Sequence, residues 1–137
     1  MSSDYKKIFE KARSYEADIA NFLADIVSIP SLSCGEKKVV ERIGNEMNDV
    51  GFDEVRVDGL GSIIGRIGSG KTVIAMDAHI DTVDVGVRDL WTFDPFDGHV
   101  KDGKVWGRGT ADQKGGMASM VYAGKLIKEL GLKGDYT

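Results

Sequence analysis

The sequence predicts an α/β fold, a mixed central sheet flanked by helices, on three observations. The first fifty residues carry apolar side chains at helical spacing. The middle holds short strand-like runs broken by glycine, and residues 115 to 130 return to helical spacing. Helices flanking strands in this order form an α/β pattern. A chain of 137 residues is long enough to bury one hydrophobic core.

Residues 4 to 28 read as a helix, because Ile8, Ala12, Tyr15, Ile19, Phe22 and Ile26 alternate spacings of four and three and form one stripe. Ile29-Pro30 ends it. Ser33 and Glu36 fit a capping box for a second helix, with Val39, Val40, Ile43, Met47 and Val50 on one face and Gly51 as its stop. Strands are expected at 54–57, 62–67 and 72–77. The last contains Val73-Ile74-Ala75-Met76, an apolar run without alternation that suits a strand buried on both faces. Residues 78 to 96 form a loop. Val100 to Val105 form a hairpin, since Asp102-Gly103 supplies the positive φ angles of a two-residue turn. The last helix faces inward with Met117, Met120, Val121, Ile127 and Leu130 and stops at Gly131. Asp135-Tyr136-Thr137 reads as the opening of another strand, so the sequence is expected to be truncated.

Composition excludes several classes. Apolar residues make up 42% and charged residues 29%, as in ordinary globular proteins. The net charge of -4 gives no nucleic-acid footprint. No apolar run approaches the ~20 residues of a membrane span. The N-terminus lacks the apolar core of a secretory signal. Cys34 is the only cysteine, which fits a reducing cytoplasm; it reads as a small packing residue rather than a nucleophile.

Two motifs compete within residues 65 to 84. Gly65 to Thr72 satisfies the phosphate-loop pattern G-x-x-x-x-G-K-[ST]. Phosphates, however, are held at the N-terminus of a following helix, and Lys71-Thr72 leads into a strand-like run. A turn at Gly68-Ser69-Gly70 accounts for the same residues.

The other motif is His79-Ile80-Asp81. In extended chain, alternate side chains share a face, so His79 and Asp81 can point into one site. Asp77 and Asp84 lie close by, and crowded acids repel unless a cation or solvent intervenes. Histidine with carboxylates suits zinc, cobalt or manganese. A hydrogen-bonded histidine without metal is the plainer reading. Residues 106 to 116, WGRGTADQKGG, place Asp112 just before a helix, where an N-cap is the plainer reading.

Taken together, HIDTV, WTFDPF, DGKVWGRG and GRGTADQKGG resemble the zinc-dependent exopeptidases and deacylases of the aminoacylase, acetylornithine deacetylase and succinyl-diaminopimelate desuccinylase type. The similarity runs from residue 4 to 137 and looks greatest to the hydrolase branch linked to selenium metabolism. It implies metal ligation by His79, a metal-bridging role for Asp112 and a catalytic role for Asp81 in orienting His79. It implies a cis peptide between Asp112 and Gln113, and no ligand role for Asp77, Asp84 or His99.

The resemblance further implies two divalent metal ions, with zinc ahead of cobalt or manganese, and hydrolysis of an amide bond by a water shared between them. The substrate would be a small peptide or an N-acyl amino acid, and the full-length protein a homodimer. Residues 1–137 would be the N-terminal portion of the catalytic domain, without the dimerisation domain. The family's general base, the first of two adjacent glutamates, would follow shortly after Thr137. By itself this portion is expected to bind metal weakly and to be inactive. A non-catalytic half-domain serving binding or assembly is the alternative, and the phosphate loop a further one.

Overall fold

The computed structural model describes residues 3–132. Four helices and four short strands follow in order: α1 (Ser3–Ser14), α2 (Glu16–Val27), α3 (Lys37–Asp49), β1 (Glu54–Val57), β2 (Ile63–Arg66), β3 (His99–Lys101), β4 (Lys104–Trp106) and α4 (Gly115–Glu129). β1 pairs antiparallel with β2, and β3 with β4. A single parallel bridge joins Leu32 to Thr82. The α/β class holds; the described strand pairings are short and antiparallel, and the parallel pairing is an isolated bridge.

The core lies between helices. Tyr15, Phe22 and Ile26 meet Val39, Ile43 and Met47 of α3 and Met117, Ala118, Val121, Tyr122 and Leu126 of α4. Phe52, Val55 and Ile63 pack against it from the β1–β2 side. One polar group enters this core. Glu46 accepts from the Tyr122 hydroxyl at 2.6 Å and from Arg42 at 2.8 Å. Burial, with the Glu46 carboxylate beside it, pushes the Tyr122 pKa up.

Gly98 shows how closely the β3–β4 hairpin seats on α2. Its φ is +61°, and a Cβ there would lie 2.4 Å from the carbonyl oxygen of Ala24. Backbone cannot yield as a side-chain tip can. Gly98→Ala is therefore expected to cost at least about 2 kcal/mol through left-handed strain and overpacking. Gly59→Ala, with no atom within 4 Å of its Cβ, should stay within about 0.5 kcal/mol. Thermal unfolding of the two variants makes the comparison.

Several expectations change in three dimensions. The first helix is two, broken at Tyr15 (φ −94°, ψ 4°). The Ser14 hydroxyl donates back to the Lys11 carbonyl, a bond that bends helices, and the Tyr15 ring turns inward against Tyr122. The capping box does not form: Glu36 accepts from the Cys34 amide, and Ser33 donates to Asp81. Cys34 is exposed at φ +70°, in the turn that leads into α3, and is not a packing residue.

Residues 73–80 enter neither helix nor strand among the described residues, and Val73, Ile74 and Met76 are exposed, not buried. Burial on both faces needs neighbours on both sides, and the described elements supply none there. The remaining elements match: the turn at Asp102-Gly103 has positive φ at both residues, and Gly131 ends α4 at φ +58°. The strand expected at 135–137 lies outside the described residues. No helix among the described residues is long and apolar enough to cross a membrane.

Candidate metal centre

Residues 80 to 82 are held alongside the segment that leaves α2. The Thr82 amide donates to the Ser31 carbonyl at 2.8 Å, and the Ser31 hydroxyl donates to the Ile80 carbonyl at 2.7 Å. Ile80 packs against the core. The His79 and Asp81 side chains on either side of it meet, 3.1 Å apart, as alternate residues sharing a face do.

Asp112 reaches the same place from the far side of the chain. After β4, Thr110 bonds back to Gly107, and the Lys114 amide to Gly109. Gly109 has φ +81°, and a Cβ on it would stand 2.5 Å from the Thr82 methyl carbon. Only glycine lets this turn lie against Thr82, three residues beyond His79. Asp112 is extended (φ −126°, ψ 91°) rather than helical, and its peptide to Gln113 is cis. No side-chain cap opens α4, so the N-cap reading of Asp112 does not describe it.

The three site residues named from the sequence converge. His79 Nε2 lies 2.8 Å from Asp112 Oδ1, and Nδ1 lies 3.1 Å from Asp81 Oδ1 and 3.2 Å from the Asp81 carbonyl oxygen. Oxygen acceptors thus face both ring nitrogens. A neutral imidazole carries one N–H and can satisfy only one of them. The other contact calls for a second cation, either a proton or a metal ion.

Asp112 foremost, with help from Asp81, raises the His79 pKa above its ordinary 6.5. The Ser33 hydroxyl, donating to Asp81 Oδ2 at 2.9 Å, leads in holding the Asp81 carboxyl below its ordinary value. In the metal-free protein, protonated His79 therefore stabilises the fold below pH 6.5, and that contribution is lost as pH rises through the raised folded pKa. A proton-detected NMR titration should place the His79 midpoint above 6.5, and Asp112→Asn should lower it. An unchanged midpoint in that variant would remove Asp112 as the cause.

The donor set fits a divalent ion in part. An imidazole nitrogen and a carboxylate oxygen meet, with a second carboxylate behind the ring, the arrangement that orients metal-binding histidines. Among the described residues, no group of three or more His, Cys, Asp or Glu side chains is placed so that all could hold one metal ion. Asp84 instead accepts from the Gly86 amide, and His99 lies 3.7 Å from Asp97. Lys71 and Thr72 lead into residues that form neither helix nor strand, so the helix N-terminus that a phosphate loop requires does not follow them.

Ser31, Ser33 and Lys114 support the site but were not evident as site residues in the sequence. Ser33 read as a helix cap, and nothing marks Lys114 as buried. An open groove of about 460 Å³, lined by Trp91, Phe93, Trp106, Thr110 and Ala111 among others, runs up to the residue before Asp112.

The chain has relatives among known proteins in both sequence and fold. Residues 75–137 match peptidase family M20/M25/M40. The chain is 57% identical over 133 residues to the protein YgeY of Escherichia coli (strain K12), covering 97% of this chain and 33% of that one. It is 42% identical over 117 residues to a probable succinyl-diaminopimelate desuccinylase of Staphylococcus epidermidis, covering 83% of this chain and 29% of the relative. Its fold matches human carnosine dipeptidase 1 with a TM-score of 0.76 at 20% identity, over 93% of this chain and 32% of that one. These matches support the zinc-dependent exopeptidase and deacylase family that the chain's motifs resemble. It spans about a third of the length of the curated relatives it matches.

Proposed function

We propose that this chain supplies the first part of the catalytic domain of a metal-dependent hydrolase of amide bonds, acting on small peptides or N-acyl amino acids. The observation that carries the reading is His79 held between two carboxylates, with Asp112 brought to Nε2 from 33 residues away. Relatives named as desuccinylases support the amide class.

His79 Nε2 and the Asp112 carboxylate would hold the metal. Asp81 would accept the Nδ1 proton and so keep Nε2 free to ligate. Two divalent ions, zinc or alternatively cobalt or manganese, would when bound bring the pKa of water toward ~7 and polarise the substrate carbonyl. The groove that ends at Ala111 would receive an apolar part of the substrate. The remaining ligands and the group that takes the proton from water lie outside this chain. Residues 1–137 alone would hold metal weakly and be inactive, since zinc sites that turn over have at least three protein ligands. The full-length protein would be a cytoplasmic homodimer without nucleic-acid or membrane partners.

The test is hydrolysis of N-acyl amino acids and dipeptides by the full-length protein. It should contain about two divalent ions per chain, lose activity to a chelator, and regain it with zinc, cobalt or manganese. Full activity in metal-free protein would overturn the reading.

A further inference from the structure

The two segments that meet at the candidate centre touch each other through the His79–Asp112 contact and through Gly109 against Thr82. Both are also fastened to one short stretch, residues 26 to 33, the end of α2 and the chain that leaves it. On one side, the Ser31 carbonyl and hydroxyl take residues 80 to 82 by the bonds already described, and the Ser33 hydroxyl reaches Asp81 Oδ2 at 2.9 Å. On the other side, Lys114 is fully buried, and its Nζ donates to the carbonyls of Ile26 at 2.7 Å and Ile29 at 2.9 Å. Lys114 lies two residues from Asp112. It closes a ring: Asp112 to His79, His79 to Asp81, Asp81 to Ser33, Ser33 along the chain to Ile29, and Ile29 through Lys114 back to Asp112.

A buried ammonium without a carboxylate partner is costly to desolvate, and two carbonyls at a helix end are otherwise left without donors. Packing alone would be served by leucine or methionine at this position. A lysine there joins two parts of the chain 85 residues apart. Ser33 is exposed, so its bond to Asp81 adds little to burial; it fixes which way the carboxylate faces.

We infer that Ser33 and Lys114 are positioning residues, which set the orientation of Asp81 and the placement of Asp112 by fastening both candidate metal-binding segments to residues 26 to 33. The inference rests on His79 and Asp112 being metal ligands. It extends the site to two residues that touch neither metal nor substrate.

Cobalt(II) is the probe, added to metal-free full-length protein and followed by visible absorption and by equilibrium dialysis. Ser33→Ala should weaken cobalt binding about 10- to 100-fold and shift the absorption bands, with the thermal midpoint unchanged. Ser33→Thr, which keeps the hydroxyl, should restore both. Lys114→Met should weaken cobalt binding by a similar factor and lower kcat with little change in KM, measured at a temperature where the variant is folded. If Lys114→Met does not fold, the Ser33 pair decides. Cobalt affinity and spectrum in Ser33→Ala equal to those of the parent would overturn the inference, as would failure of Ser33→Thr to restore them. If His79→Ala also binds cobalt as the parent does, or the parent binds none, the metal reading itself fails and the inference with it.

Discussion

His79→Ala and Asp112→Ala in the full-length protein are each expected to lower kcat/KM by about three orders of magnitude. Each removes one of the two direct donors that this chain brings to the candidate centre. A metal ion contributes several kcal/mol of charge stabilisation in the transition state, and each 1.36 kcal/mol is tenfold in rate. Asp81→Ala should cost less, about 10- to 100-fold, because Asp81 acts only through the His79 ring. That order of effects, with bound metal counted beside each rate, tests the assignment of roles. Equal losses from Asp81 and His79 would mean that Asp81 does more than hold the ring. Full activity in either alanine variant at His79 or Asp112 would remove the site from the mechanism.

Phe22→Ala is expected to destabilise the fold by about 3–5 kcal/mol, the usual cost of deleting a buried aromatic ring. Phe22 is 1% exposed at the centre of the helical core. Its ring lies 6.2 Å from that of Tyr122, and the Arg42 guanidinium sits 4.9 Å above it. Truncation opens a cavity and also takes the surface on which Arg42 rests while it binds Asp25 and Glu46. The thermal midpoint should fall by roughly 10 °C or more. Phe9, 61% exposed on α1, provides the contrast, and Phe9→Ala should stay within about 0.5 kcal/mol. A loss under about 1 kcal/mol at Phe22 would show that α2 is not central to the core. The consequence reaches the candidate centre, because the last turn of α2 carries the Ile26 carbonyl that accepts from Lys114.

Local chemistry explains what could be read without coordinates. Helix stripes, the Asp102-Gly103 turn and the stop at Gly131 depend on side-chain period and on φ preferences within a few residues. His79 and Asp81 share a face for the same reason, since alternation in extended chain is a local rule. Asp112 was legible only through the resemblance, because taken alone it reads as a cap.

What the sequence by itself determined is therefore the α/β class and most element positions; it also named His79, Asp81 and, through the resemblance, Asp112, which the structure brings together. Tertiary structure alone decided the break at Tyr15, the exposure of Val73 to Met76, and the partners of Ser33 and Lys114. The physical reason is distance along the chain. Ser33 meets Asp81 across 48 residues, and Lys114 meets Ile26 across 88. No local period encodes which carbonyl a buried ammonium will find, or which strand will cover an apolar run. Those outcomes depend on where separate elements come to rest against one another.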